Sequence, residues 1–364
     1  MAESPAPAGR NSAPGRVFRR FAASSGGLLL VLLIALAVMT LLALLLSSDP
    51  GRTLTFFFLG PLRNTYYFGN MLNSAIPLIF GGLGVSIAML GGNFNLGGEG
   101  QVYTGAFVTT ITALALSPLA RPGLPGIPAA ILALGAGAFL SGSMAGLSAF
   151  LKVKWRTNEL ITSFLLSNAM ILIVNYCVTG PFLDLDTNLQ STRKVAPAFR
   201  LPLILPPSNL SAALFFALIM VVLVRIFLFK TRAGYEIRLC GLNDMFAKYG
   251  GINTGWNAVL SMFLSGALYG LGGGMAIFGT YYGTIKEFSS GMGWNGLAVA
   301  LIARSSPGGV IPAAIFFAWI GSGVRMAMQF SDVTIELASI VQSVVFFLVT
   351  SRTIQGLFRK EKAL

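Results

Sequence analysis

The sequence predicts an all-α fold, a polytopic membrane helix bundle of about ten transmembrane helices with at least one of them broken. Three observations carry this. Charged residues fill only 10% of the 364 positions and hydrophobic ones 55%, whereas an ordinary soluble domain carries about 25% charged residues. Long uncharged runs recur, many near the roughly 20 residues that span a hydrocarbon core about 30 Å thick. Forty-three glycines are scattered through those runs, as expected where helices must approach closely without a hydrophobic drive between them.

From the N-terminus, residues 1–25 are rich in Ala, Pro, Ser and Gly and hold Arg10, Arg16, Arg19 and Arg20. This reads as a disordered basic tail on the cytoplasmic side. Residues 26–47 carry no charge and are too long for the apolar core of a signal peptide, so they form the first crossing. Apolar segments follow at about 71–91, 101–119, 126–151, 160–180, 208–229, 255–281, 288–303, 308–327 and 333–350, ten in all. The transmembrane domain is therefore 26–352, and 353–364 is a second cytoplasmic tail.

Counting crossings places Lys152, Lys154 and Arg156 inside, then Lys230, Arg232, Arg238 and Lys248, then Arg304, and finally Arg352, Arg359, Lys360 and Lys362. The count satisfies the positive-inside bias of membrane proteins. The main outside loop, 181–207, is a mild exception through Arg193, Lys194 and Arg200, partly offset by Asp184 and Asp186. The net charge of +13 forms no continuous patch of the kind that binds nucleic acid, and it fits orientation and anionic headgroups instead. Histidine is absent, which removes the commonest general base and every His-based triad. Cys177 and Cys240 fall on opposite sides of the membrane, which argues against a disulfide.

The most unusual stretch is 91–101, GGNFNLGGEGQ, which interrupts apolar sequence with four polar side chains and five glycines. Glu99 is the only charged residue between Arg63 and Arg121. Irregular backbone at membrane depth is tolerated only when buried or lining a watery cavity, and a charge there is a functional candidate. Two readings stand, a pathway-lining helix break and a turn on the cytoplasmic side. A weaker echo, SSGMGWNG at 289–296, carries Trp294 and Asn295. Two glycine-interrupted segments, one in each half, are what an internal repeat in a transporter produces. The pathway candidates are Asn93, Phe94, Asn95, Glu99, Gln101, Trp294 and Asn295.

The basic inside loop at 230–253 holds GLNDMFAKYGGI at 241–252. Asn243 or Asp244 can cap a short helix that ends at Gly250 and Gly251, giving an amphipathic segment on the cytoplasmic face. It is either an interfacial anchor or a surface on which a soluble motor pushes.

These motifs carry a resemblance. Phe94-Asn95-Leu96-Gly97-Gly98-Glu99-Gly100-Gln101 resembles the Phe-Asn-Ile-Gly-x-Glu-Gly-Gln signature of nucleoside-type permeases in the ribose and branched-chain amino-acid class of bacterial ATP-binding-cassette (ABC) importers. Thr157-Asn158-Glu159-Leu160-Ile161 is similar to their Asn-Glu-Val-Ile motif, and the 241–252 stretch to their ATPase-docking segment. Ser265-Gly266-Ala267-Leu268-Tyr269-Gly270-Leu271-Gly272-Gly273 and the block at 291–309 resemble two later motifs, with Trp294 at the usual Phe. Phe246 and Lys248 depart from the usual Ala-Ala surroundings.

The resemblance implies a permease subunit in the bacterial inner membrane with both termini cytoplasmic. Its partners are an ABC ATPase subunit, a second permease subunit, identical or paralogous, and a substrate-binding lipoprotein or periplasmic protein. The docking residues implied are Gly241, Asn243, Asp244, Ala247, Lys248 and Gly251. ATP and Mg belong to the partner ATPase, since this chain has no phosphate-binding G-x-x-x-x-G-K-[ST] run, and no cofactor or metal is expected on it. The solute implied is a nucleoside, riboflavin or a simple sugar. Phe94 or Trp294 would stack on a ring and Asn93, Asn95 and Gln101 bond hydroxyls, unless the aromatics are plain helix packing. Glu99 touches solute or caps a broken helix. A different class, an ion-coupled secondary transporter using Glu99 as its coupling carboxylate, remains the alternative. An intramembrane enzyme is disfavoured, because no acid–base pair stands at membrane depth.

Overall fold

The computed structural model describes residues 47–118 and 126–332 continuously, with scattered positions at 37–45 and 340–347. The expected tails and the expected first and last crossings, 26–47 and 333–350, therefore lie outside the continuously described residues. The described part is helical, and its extended pairings are isolated bridges such as Leu183 with Thr192 and Ser191 with Ile285.

In chain order the helices are α1 (Pro50–Phe58), α2 (Thr65–Leu90), α3 (Gly98–Leu116), α4 (Gly126–Trp155), α5 (Glu159–Thr179) and α6 (Ala213–Lys230). They continue with α7 (Arg232–Leu242), α8 (Asp244–Tyr249), α9 (Thr254–Ala276), α10 (Met292–Ile302) and α11 (Pro307–Phe330). Helix starts follow local chemistry. Asn64, Asn158 and Asn253 each accept a backbone N–H of the next turn, satisfying donors that the helix itself leaves orphaned. The sequence gives no long apolar run for α1, which is set by Asp49 as its cap and Pro50 at its first position.

Eight of the ten expected crossings fall on described residues, and each is a helix. Six described helices, α2, α4, α5, α6, α9 and α11, are long and apolar enough to cross a membrane. α3 has 19 residues but carries Glu99, Gln101 and four threonines, so it falls short in apolarity. α10 has 11 residues, about 16 Å at 1.5 Å per residue, too short to span alone.

The bundle is built around α9, which packs against α4, α2 and α3, while α10 fills the angle between α2 and α3. Burial separates centre from periphery. The apolar window of α2 is 83% buried and that of α5 only 22%. The outer surfaces of α4, α5 and α6 expose Phe139, Leu172 and Phe215 among many large apolar side chains, a belt that water would not tolerate over such an area and that lipid solvates. The central crossings are backbone to backbone. A Cβ on Gly273 of α9 would stand 2.1 Å from the Val102 carbonyl oxygen of α3, so only glycine permits that approach.

One face of the bundle carries α7 and α8. The other carries the 180–212 loop, which is pinned on the segment after α9 by Thr192 N–H to the Thr284 carbonyl (2.9 Å) and Val195 N–H to the Tyr282 carbonyl (2.7 Å). Cys177 and Cys240 are both free.

Candidate functional site

The 91–101 break is a loop, 91–97, leading into α3, and its polar side chains are spent on holding it. Asn95, 1% exposed, accepts from Gly97 N–H and Gln101 Nε2 and donates to Gln101 Oε1 (2.8 Å) and Ser265 Oγ (3.0 Å). Asn93 donates to the Gly91 carbonyl and to Ser261 Oγ, and accepts from Lys152 Nζ at 2.9 Å. Lys152 also pairs with Glu159 at 2.7 Å. The loop is thereby tied to α9 on one side and to the α4–α5 corner on the other. Gln101 is equally buried, and the half-buried Phe94 ring packs in the core with Val102 and Tyr103.

Glu99, in the first turn of α3, reaches across to the other glycine-interrupted segment. Its Oε1 accepts the Gly291 N–H (2.9 Å) and its Oε2 the Gly293 N–H (2.8 Å). Gly291, at φ +84°, is the residue from which α10 starts. The two helix N-termini touch, for a Cβ on Gly293 would fall 2.1 Å from the Glu99 backbone nitrogen. Each N-terminus carries about half a positive charge, and the Glu99 carboxylate lies between them as the counter-charge. Tyr269 of α9 completes the joint by donating to the Gly293 carbonyl at 3.0 Å.

Beside this joint, toward the 180–212 face, lies a cavity of about 490 Å³, within the range of small-molecule sites. α2 contributes Asn70, Asn73 and Ser74, the start of α10 contributes Ser289 and Asn295, and α11 contributes Phe317 and Arg325. α9 widens at its end into a π-turn, Ile277–Tyr281, which brings Thr280 and Tyr281 to the wall; such widenings recur at functional sites. Asn73 Nδ2 donates to Thr280 Oγ1 at 2.9 Å. Pro77, also on the wall, has no N–H to give the Asn73 carbonyl its usual helical bond.

Of the sequence candidates, Asn295 lines the cavity, while Glu99 is one helix turn of α10 behind it. Trp294 faces away, its ring 6.2 Å from that of Phe164. Asn70, Asn73, Ser74, Thr280 and Arg325 are not among those candidates. They are polar residues spread over α2, the π-turn after α9 and α11 with no local motif, and only Arg325, a charge inside the 308–327 segment, gives a signal that can be read from sequence.

The second assembly is on the opposite face. α7 runs into α8, which Asn243 caps by accepting the Phe246 N–H at 3.0 Å and which ends at Gly250 with Gly251 at φ +77°. Ala247 is buried, while Leu242, Met245, Phe246 and Tyr249 are exposed, Tyr249 at 86%. Lys248 donates to Asp244 and holds its carboxyl below the ordinary carboxylate range. Gly241 seats the pair on the bundle: a Cβ there would stand 2.1 Å from the Leu90 carbonyl oxygen at the end of α2 and 2.8 Å from the Gly92 nitrogen.

A membrane bundle with two helix N-termini joined beside a polar cavity, and an exposed short-helix pair seated on the break between α2 and α3, is the setting in which the family is met, and that family is one of transport subunits. The chain belongs to the family described as the branched-chain amino acid transport system / permease component, whose model matches residues 67–350. It is 33% identical over 317 residues to the probable riboflavin import permease protein RfuC of Treponema pallidum, covering 86% of this chain and 82% of that protein. To the glucose ABC transporter permease protein TsgB13 of Haloferax volcanii it is 32% identical over 338 residues, 86% of each. The guanosine ABC transporter permease protein NupP of Bacillus subtilis is 28% identical over 312 residues, 84% of this chain and 88% of that one. No solved structure matches significantly.

Proposed function

We propose that this chain is the permease subunit of an ABC importer in the bacterial cytoplasmic membrane, forming half of the pathway for a nucleoside-like solute. Nucleosides and riboflavin join a flat heterocycle to a polyhydroxy chain, and the cavity offers aromatic rings beside Asn and Ser side chains. A simple sugar is the remaining candidate within this class.

The observation that carries the reading is the contact of Gly241 with Leu90 and Gly92. It joins the exposed apolar surface of α8 to the loop that holds α3, and through Glu99 to α10 at the cavity wall. From Ser74 to Leu90, α2 is a rod of 17 residues, about 24 Å from end to end, so movement at the α7–α8 face is delivered to the cavity. A partner ATPase closing on ATP would tilt these elements between inward and outward openings, with no chemistry on this subunit. The α7–α8 face is then cytoplasmic, ten crossings complete the bundle, both termini are cytoplasmic, and the 180–212 loop meets a substrate-binding protein. A second permease subunit completes the channel.

Purification in mild detergent should bring down an ATPase subunit, and uptake should require it. Uptake that survives loss of every such partner and collapses with the ion gradient would instead establish the ion-coupled reading.

A further inference from the structure

The cavity holds one charged side chain among its described lining residues, Arg325. It stands five residues from the end of α11, where an arginine on the outer surface would ordinarily snorkel to the headgroups. This one turns inward. Its Nη2 donates to Ser322 Oγ at 2.9 Å on its own helix and across to Ser74 Oγ on α2 at 3.2 Å. Among the described residues those two bonds use Nη2 alone, leaving three of the five guanidinium donors, on Nη1 and Nε, for a ligand. The described residues give Arg325 no carboxylate partner. Near it the wall is aromatic: Tyr281 and Phe288 meet edge to face with centroids 5.0 Å apart, and Phe317 lies on the same cavity.

We infer that Arg325 is a specificity-determining residue that reads the carbonyl edge of a flat oxo-heterocycle held against these rings. The inference rests on the proposed import of a nucleoside-like solute and narrows it. A guanidinium donates and never accepts, so it matches ring carbonyl oxygens and mismatches an exocyclic amino group at the same position. A donor that a bound solute desolvates and leaves without an acceptor is costly, and sites built on such pairing discriminate strongly. Guanosine, uridine and riboflavin carry the matching edge. Adenosine presents an amino group there, and glucose has no ring carbonyl and no flat face. The Asn73 and Asn295 amides on the same cavity suit the polyhydroxy part of the solute.

The test is uptake of labelled guanosine, uridine, riboflavin, adenosine and glucose by cells carrying the full chain with its partner subunits, for the native protein, Arg325→Gln and Arg325→Lys, normalised to the amount in the membrane. The native protein should favour one or more of the three oxo-heterocycles over adenosine and glucose. Arg325→Gln should lower that uptake about tenfold or more, the size of one charge-assisted hydrogen bond, and narrow the preference over adenosine by a similar factor. Arg325→Lys should recover part of it. An equal loss for every solute would show a structural role and overturn the inference, as would a native preference for glucose or adenosine. No uptake of any solute by the native complex would instead sink the import reading itself.

Discussion

Glu99 spends both of its carboxylate oxygens on backbone. Both accept backbone N–H groups of α10, a charge-assisted pairing that costs about 1.5–3 kcal/mol when lost and leaves two donors unpartnered. Glu99→Gln keeps the shape but turns one acceptor into a donor facing the N–H of Gly291 or Gly293, so it should melt at a lower temperature in detergent. Glu99→Ala should melt lower still. If Glu99→Gln keeps full thermal stability and loses uptake alone, the carboxylate serves transport directly and not the joint. The residue was legible in sequence as an isolated charge in apolar surroundings, and its glycine-rich partner segment at 289–296 was visible as an echo. Their contact was not, because nothing in a linear pattern states that two N-termini 192 residues apart meet. Asn93, Asn95 and Gln101 show the converse. Their polarity within apolar sequence reads as a pathway, and in the fold their side chains bond among the loop, α9 and the α4–α5 corner.

Among the elements, α8 was the most legible, since the cap at Asn243 and the stop at Gly250 and Gly251 follow from local chemistry, whereas α7 lies in a stretch that reads only as a basic loop. What sequence does not announce is their seat. Gly241 lies so close to Leu90 and Gly92 that Gly241→Ala must push α7 off the end of α2. Uptake should fall at least tenfold while the chain still reaches the membrane and still binds its ATPase, because the exposed surface of α8 is untouched. Loss of ATPase binding together with uptake would place the defect in docking. Lys248→Ala provides the contrast. Its i,i+4 pair with Asp244 is solvent-exposed and contributes a few tenths of a kcal/mol at most, so melting should barely change. The pH dependence has a definite sign. Lys248 lowers the folded-state pKa of Asp244, so the pair's contribution is present above the ordinary carboxylate pKa of about 4 and fades as pH falls below it. ATPase binding should be flat from about pH 6 to 8 as far as this pair is concerned.

For the whole molecule, the apolar runs made the helical bundle readable, because lipid imposes their length, and the charge asymmetry sets the orientation expected of it. The cavity escaped because it is assembled from residues on α2, α9, α10 and α11 that share no local motif. Orientation is the property on which the transport reading turns, since a motor on one face must act on a solute arriving at the other. Two exposed positions report on it. Tyr249 ends α8 at 86% exposure and Leu185 stands in the 180–212 loop at 85%. In a background carrying Cys177→Ser and Cys240→Ser, Leu185→Cys should react with a membrane-impermeant maleimide added to intact spheroplasts. Tyr249→Cys should react only in inverted vesicles, and there only after the ATPase has been stripped, because a docked partner covers α8. Labelling of both positions from one side would break the crossing count. Labelling of Tyr249→Cys at an undiminished rate with the ATPase bound would leave the count intact and move the docking surface away from α8.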